Sequence, residues 1–177
     1  MSNSQWVIDA SHSNAGFSVK HLMITNVRGE FQKLAGTVSY DPAKPEATTI
    51  EATIDVASLN TRDEKRDGHL KSADFLDAEK FPTIIFKSTA VKAKGDDLSV
   101  TGDLTIHGVT KQVVLELEAP SAPTADPWGN SRVGATATTK IKRDDFGMVW
   151  NTALEAGGVL VGNDVKITID VSLVKQK

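Results

Sequence analysis

Alternation of apolar and polar residues at period two runs through five segments and confines this chain to amphipathic β-strands. In the first, Ile50, Ala52, Ile54 and Val56 face one way while Glu51, Thr53 and Asp55 face the other. The pattern recurs at Leu98, Val100, Gly102, Leu104 and Ile106, at Val113, Leu115, Leu117 and Ala119, at Val133, Ala135, Ala137, Thr139 and Ile141, and at Val165, Ile167, Ile169, Val171 and Leu173. Weaker alternation at 6–9, 16–23, 27–40 and 83–94 brings the expected total to eight or nine strands, with a bulge or break in 27–40 expected at Gly29 or Gly36. Turn residues at Asp41-Pro42, Gly95-Asp96-Asp97, His107-Gly108 and Gly162-Asn163 separate the strands, which favours antiparallel hairpins in a meander.

Residues 61–80 break the pattern. Thr61 and Glu64 match a capping box ahead of a helix over 62–70, and 73–80 reads as a second helical turn stopped by Pro82. Thr152 and Glu155 ahead of Gly157-Gly158 repeat the signal in miniature, and 120–127 reads as an exposed loop. With 177 residues and no composition break, the expectation is one domain over 1–177. The fold class is all-β: strands of this number bury their inner faces by curling into a barrel or a sandwich. A barrel of about eight strands is either filled by side chains or holds one small ligand.

Composition narrows function mostly by exclusion. Twenty Lys and Arg against 23 Asp and Glu leave a net charge of −3, which argues against nucleic acid or an anionic lipid surface as partner. Cysteine is absent, removing disulfides, thiolate nucleophiles and thiolate metal sites. No apolar run approaches the ~20 residues of a transmembrane helix. The start, Met1-Ser2-Asn3-Ser4-Gln5-Trp6, has no signal-peptide pattern. The expected location is cytoplasmic as written, or periplasmic if Met1 stands in place of a native leader.

Chemistry is weakly signalled. His12, His21, His69 and His107 show no metal-ligand spacing, so no metal is expected, although a site of His12, His21 and His69 is conceivable in space. His107 before Gly108 reads as a turn residue. Asp96-Asp97 and Asp144-Asp145 are adjacent pairs, which point to opposite faces of a strand and suit turns better than acid–base work. No nucleophile elbow, phosphate loop or dinucleotide fingerprint is present, and no enzyme is specified. Bulky apolar residues do recur beside cations: Phe17 with His21, Arg28 with Phe31, and Arg66 with His69 and Leu70, together with Phe75, Phe81 and Phe86. They fill a small core or line an apolar bore with a polar mouth. Trp128 reads as a loop anchor, and Trp150 as a residue packed over one barrel end.

An ordered set of motifs then resembles a known family. Ser11-His12-Ser13, Gly16-Phe17-Ser18-Val19-Lys20-His21 and Val27-Arg28-Gly29-Glu30-Phe31 are similar to the opening of the YceI-like, polyisoprenoid-binding proteins. Arg66-Asp67-Gly68-His69-Leu70, Asp74-Phe75-Leu76-Asp77, Phe81-Pro82-Thr83, Gly102-Asp103-Leu104-Thr105-Ile106-His107-Gly108, Arg143-Asp144-Asp145-Phe146-Gly147 and Val161-Gly162-Asn163-Asp164 follow in order. The resemblance implies an extended lipocalin-like antiparallel barrel of about eight strands, with the helical excursion near 61–80. It implies binding without turnover, with no cofactor but a polyprenyl lipid, isoprenoid quinone or fatty amphiphile as ligand.

On that resemblance the pocket is expected to be lined by Phe17, Val19, His21, Phe31, Leu70, Phe75, Phe81, Phe86, Leu104, Ile106, Phe146 and Trp150. The expected head-group residues are His12, Arg28, Arg66 and His69, with Arg66-Asp67 alternatively a structural ion pair. Two other readings stand beside the carrier: a filled barrel acting as an interaction module, with a homodimer possible, and a barrel enzyme using His12, His21 or His69.

Overall fold

The computed structural model describes residues 3–177. Its strands are β1 (Ser4–Ile8), β2 (Asn14–His21), β3 (Thr25–Phe31), β4 (Leu34–Tyr40), β5 (Thr49–Asp55), β6 (Leu59–Asn60), β7 (Thr83–Lys94), β8 (Asp97–Ile106), β9 (Val109–Leu117), β10 (Thr124–Ala125), β11 (Ser131–Lys142) and β12 (Val161–Lys175). One short α-helix, α1 (Glu64–Lys71), lies between β6 and β7. Three of the eight long strands are kinked, and each kink splits a strand in two: β1 with β2, β3 with β4, and β5 with β6. Hydrogen bonding runs β11-β9-β8-β7-β5-β4-β1-β12 and closes from β12 back to β11, an eight-stranded antiparallel barrel.

The kinks divide the barrel into two ends. At the end holding Ser4, Tyr40 and Lys175, β12 pairs with β1, as in Trp6 opposite Lys175. Toward Val161 its neighbour is β2 instead, and β3 and β6 extend the sheet outward from there. The ends are called here the clamped end and the helical end. Among the described residues no helix is long and apolar enough to cross a membrane.

Several local expectations change for physical reasons. The break in 27–40 falls at Gln32 and Lys33, while Gly29 and Gly36 stay inside strands. These glycines serve close approach: a Cβ on Gly29 would meet Phe17 Cζ at 2.5 Å, and one on Gly36 would meet Ala52 Cα at 2.9 Å. Val56 falls in a 3-10 turn and Ala119 lies past the end of β9. Gly162 and Asn163 belong to β12, where a register irregularity between Val161 and Val165 replaces the expected turn. His107 and Gly108 do form the β8–β9 turn, both with positive φ.

The helix begins later than the capping-box pattern suggests. Arg62 has φ 66°, which turns the chain so that Asp63, not Thr61, becomes the N-cap and accepts from Arg66 N at 3.1 Å. Residues 73–80 form successive turns rather than a second helix, while Leu154–Gly157 form the single turn closed by glycine, held under an Ala153–Val159 bridge and not by a Thr152 cap. Within the 120–127 loop, Thr124 and Ala125 pair briefly with β11. Trp128 is 79% exposed and anchors nothing.

Candidate functional site

The barrel interior is not filled. A cavity of ≈ 390 Å³ runs along it, from Tyr40, Thr48 and Pro120 at the clamped end to His21, Arg66, His69 and Trp150 at the helical end. Its walls are the inward residues of the alternating strands, such as Phe86, Leu104, Leu115, Ile167 and Ile169. The volume lies in the range of small-molecule pockets, and hydrocarbon walls of this kind hold apolar ligands rather than water. Strand β12 has 15 residues and runs about 50 Å at ~3.3 Å per residue, so the bore is long rather than round.

Polar groups gather where the cavity reaches the helical end. Arg66 donates from Nε to Thr61 Oγ1 at 2.9 Å and from Nη2 to Thr61 O at 2.6 Å. Asp67 Oδ1 accepts from Thr61 N at 2.8 Å and from its hydroxyl. Arg66 and Asp67 therefore meet through Thr61 rather than as a direct ion pair, and Thr61 links the helix to β6. This network matters because an eight-residue helix containing Gly68 is not stable alone. His69 Nε2 lies 2.9 Å from Asp74 Oδ2, and its ring is T-shaped against both Phe75 and Trp150, at 5.0 and 4.7 Å between centroids.

Arg143 was not among the expected site residues, yet it sits in the cavity wall at 5% exposure. Its guanidinium donates to Gly162 O (2.8 Å), Met148 O (2.8 Å), Trp150 O (2.9 Å) and Val161 O (3.2 Å). Its Cζ lies 5.7 Å from the Phe75 ring centroid. No carboxylate pairs with it among the described residues, and burial pushes its pKa down from the ordinary guanidinium value. The result is a buried cation hydrogen-bonded to carbonyl oxygens, with the charge of Asp144 nearby, at one end of an apolar bore. No charge pattern in the sequence marks such a residue; only its place in the Arg143-Asp144-Asp145-Phe146-Gly147 motif draws attention to it.

The expected pocket residues Phe17, Val19, His21, Phe31, Leu70, Phe75, Phe86, Leu104, Ile106 and Trp150 all lie on the cavity wall. Phe81 and Phe146 do not. Phe81 packs against His107 at 4.9 Å and over Gly108, outside the barrel bore. Phe146 is almost fully buried behind the wall, and its carbonyl lies 3.1 Å from His107 Nδ1. Of the expected head-group residues, Arg66 and His69 line the cavity, whereas Arg28 and His12 are exposed away from it. Alternation explains Arg28: Val27, Gly29 and Phe31 take the inner face of β3, which leaves Arg28 on the outer one. His12 is held at the β1–β2 kink by Asp9, 2.9 Å from Oδ2.

His12 is thus apart from His21 and His69, and the three do not form a common site. Among the described residues no three His, Asp or Glu side chains gather as a metal site. Tyr40 and Met148 also line the cavity and were missed. Burial, with the charge of Asp41 nearby, raises the Tyr40 pKa.

Comparison with known proteins agrees with this geometry. The YceI-like domain matches residues 6–173. Protein YceI of Escherichia coli is 40% identical over 169 residues, covering 96% of this chain and 85% of that protein. The crystal structure of BcnA from Burkholderia cenocepacia superposes with a TM-score of 0.80 at 26% identity, covering 93% of this chain and 98% of the other. A polyisoprenoid binding domain from Saccharophagus degradans shares the fold, with a TM-score of 0.70 at 17% identity, over 97% of this chain and 98% of that one. A family match over nearly the whole length and a barrel of the same architecture lead to one statement: this chain belongs to the YceI-like domain family.

Proposed function

We propose that this protein binds a long-chain amphiphile, a polyisoprenoid or a chain of similar character, inside the barrel and does so without turning it over. The observation that carries the reading is the elongated ≈ 390 Å³ cavity, whose apolar walls end on Arg66, His69 and Arg143. An apolar tail lies along the bore and a phosphate or amide head reaches the helical end. There Arg66 has one terminal nitrogen, Nη1, with no hydrogen bond to the described residues. The binding named for the Saccharophagus degradans domain supports the choice of a polyisoprenoid chain.

Burial supplies the affinity. At ~0.3 kcal/mol per atom, a tail of about 40 carbons yields up to roughly 12 kcal/mol only if the barrel encloses all of it, and proportionally less for the part that the bore takes in. Selectivity between tails is loose, because one methylene changes affinity by only ~1 kcal/mol. Length of bore and the polar end then set the class of ligand. The test is uptake of a polyprenyl phosphate, monitored by displacement of an environment-sensitive fluorescent fatty amide. Phe86→Asp and Phe31→Asp, each checked for an intact β-sheet spectrum, should abolish uptake; undiminished uptake in both overturns the assignment.

One observation favours a second reading. The His69–Asp74 pair is a carboxylate-oriented imidazole on the cavity wall, the arrangement of a general base. Product formed from a bound amphiphile by the parent chain and not by His69→Gln would replace the carrier reading with a catalytic one.

A further inference from the structure

The helical end carries a feature that amphiphile binding does not use. The β2–β3 turn consists of Leu22, Met23 and Ile24, with Met23 56% and Ile24 73% exposed. Leu22 and Met23 have φ of 54° and 64°, the left-handed region ordinarily taken by Gly or Asn. Bulky apolar residues in that conformation are strained, and they project three apolar side chains in sequence from a β-turn closed by Ile24 N donating to His21 O.

This tip is continuous with the cavity mouth. His21 and Val27, on either side of it, line the bore, and Leu22 N donates to Leu160 O, another lining residue, at 2.9 Å. Val149, 70% exposed, precedes Trp150 of the cavity wall.

The sheet wall above the tip is basic on its outer face. Arg28 lies opposite Ser18, Ser18 opposite Lys166, and Lys166 opposite Lys140, a cross-strand row over β3, β2, β12 and β11. Lys20 and Lys142 stand on the same face below it. Asp164 pairs with Lys140 at 3.3 Å; Lys20, Arg28, Lys142 and Lys166 have no carboxylate partner among the described residues. Glu30 and Asp170 share this face beyond the row, Asp144, Asp145 and Glu155 stand at the margin of this end, and around α1 the carboxylates of Asp63, Glu64, Asp67, Asp74, Asp77 and Glu79 are interspersed with Arg62, Lys65, Arg66, Lys71 and Lys80. The net charge of −3 therefore hides a local cluster of five cations, Lys20, Arg28, Lys140, Lys142 and Lys166, on one side of the helical end.

We propose that the β2–β3 tip and this basic wall form a docking surface for an anionic phospholipid bilayer. The tip enters the interface, the row of Arg28, Lys166 and Lys140 lies over the headgroups, and the mouth of the bore is brought to the lipid. Apolar insertion combined with basic residues is the pairing that gives reversible membrane attachment. Docking stands on this surface alone, whereas the transfer of an amphiphile across it rests on the carrier reading.

The test is co-sedimentation of the intact chain with vesicles of phosphatidylcholine and phosphatidylglycerol in equal parts, set against phosphatidylcholine alone. Sedimentation is expected with the anionic vesicles and should fall as salt is raised. At roughly fivefold per cation removed from the surface, Arg28→Glu with Lys166→Glu should weaken it at least about 25-fold. Ile24→Asp should weaken it about tenfold or more by losing the inserted side chain, whereas Lys92→Glu on β7 should leave it unchanged.

Met23→Asn suits the left-handed backbone, so its melting temperature should stay level or rise while vesicle binding drops. Equal sedimentation with both vesicle types, or binding insensitive to Ile24→Asp, overturns the proposal. Loss of a concentration-dependent dimer in Ile24→Asp, with no vesicle binding by the parent chain, overturns it in favour of a second copy as occupant. A chain that sediments with anionic vesicles but takes up no amphiphile keeps the docking surface and removes the carrier reading; uptake from solution with no vesicle binding does the reverse.

Discussion

The two ends of the barrel are built from the same strands by opposite means. At the clamped end, Trp6, Tyr40, Val133 and Leu173 pack into a small core, and Trp6 Nε1 donates to Tyr40 O at 3.3 Å. A polar clamp crosses it: Arg132 donates to Asp9 and to Asp126, both at 2.7 Å, joining the β1–β2 kink to β11 and the loop before it. At the helical end the sheet opens along β2 and β3, and the space is taken by α1, the turns after it and Arg143. One end is closed by paired charges and aromatic packing. The other is closed by a helix and by a cation that holds only main-chain carbonyls. Closure by paired side chains fixes a rim; closure by a helix and loops leaves a mouth.

The strongest way to break the contrast is Arg143→Met. Three carbonyls lose this donor while Val161 O keeps Asn151 Nδ2 at 2.7 Å, and at ~1–3 kcal/mol for each buried acceptor left unsatisfied the loss should reach about 3 kcal/mol or more, read from urea unfolding. Arg143→Lys should fall between, because a single ammonium cannot span the four acceptors. A loss below about 1 kcal/mol for Arg143→Met would show that the carbonyls find water instead.

A pair of truncations sharpens the cavity boundary. Phe146→Ala, behind the wall, should cost about 3–5 kcal/mol, while Phe31→Ala, which already faces open volume, should cost less because fewer contacts are lost. Equal costs would mean that the two rings see the same packing.

Acid should act most strongly on the clamped end. The Asp9 carboxyl is held well below the usual carboxylate range by Ser11, Arg132 and His12, and that of Asp126 by Arg132. A group whose folded pKa is depressed stabilises the fold above its unfolded value and loses that contribution as pH falls toward the folded value. The clamp is therefore intact from neutral pH down to about 4, and the melting temperature should decline below that. In Asp9→Asn with Asp126→Asn, this acid-sensitive component should be smaller. The least effect is expected from Asp63→Ala, which removes the helix cap and costs about 1 kcal/mol, with the helical end and not the clamp becoming more labile to hydrogen exchange.

How much of this could be read in the sequence follows from which interactions are local. Alternation placed the inward faces of β5, β8, β9, β11 and β12, because side-chain direction in a strand depends on neighbours two residues away. It could not place the kinks, which arise where a long strand changes partner, as β12 does between β1 and β2. Phe81 and Phe146 show the same limit at the site. Both are bulky and apolar, yet tertiary packing against His107 puts them outside the bore. Arg28 lies outside the bore for a simpler reason: alternation along β3, legible in the sequence, turns it to the outer face, and its place in a family motif carries no information on direction. The buried role of Arg143 depends on carbonyls contributed by four residues up to 19 positions away, and no local pattern encodes it.

The central claim is that the bore receives an amphiphile whose tail lies along the barrel. Native mass spectrometry of the chain incubated with a polyprenyl phosphate tests it most directly, with Phe86→Asp measured alongside. The account predicts a one-to-one complex that survives desolvation in the parent chain and is absent in the variant. A parent mass that stays bare, or a complex retained equally by Phe86→Asp, would contradict it.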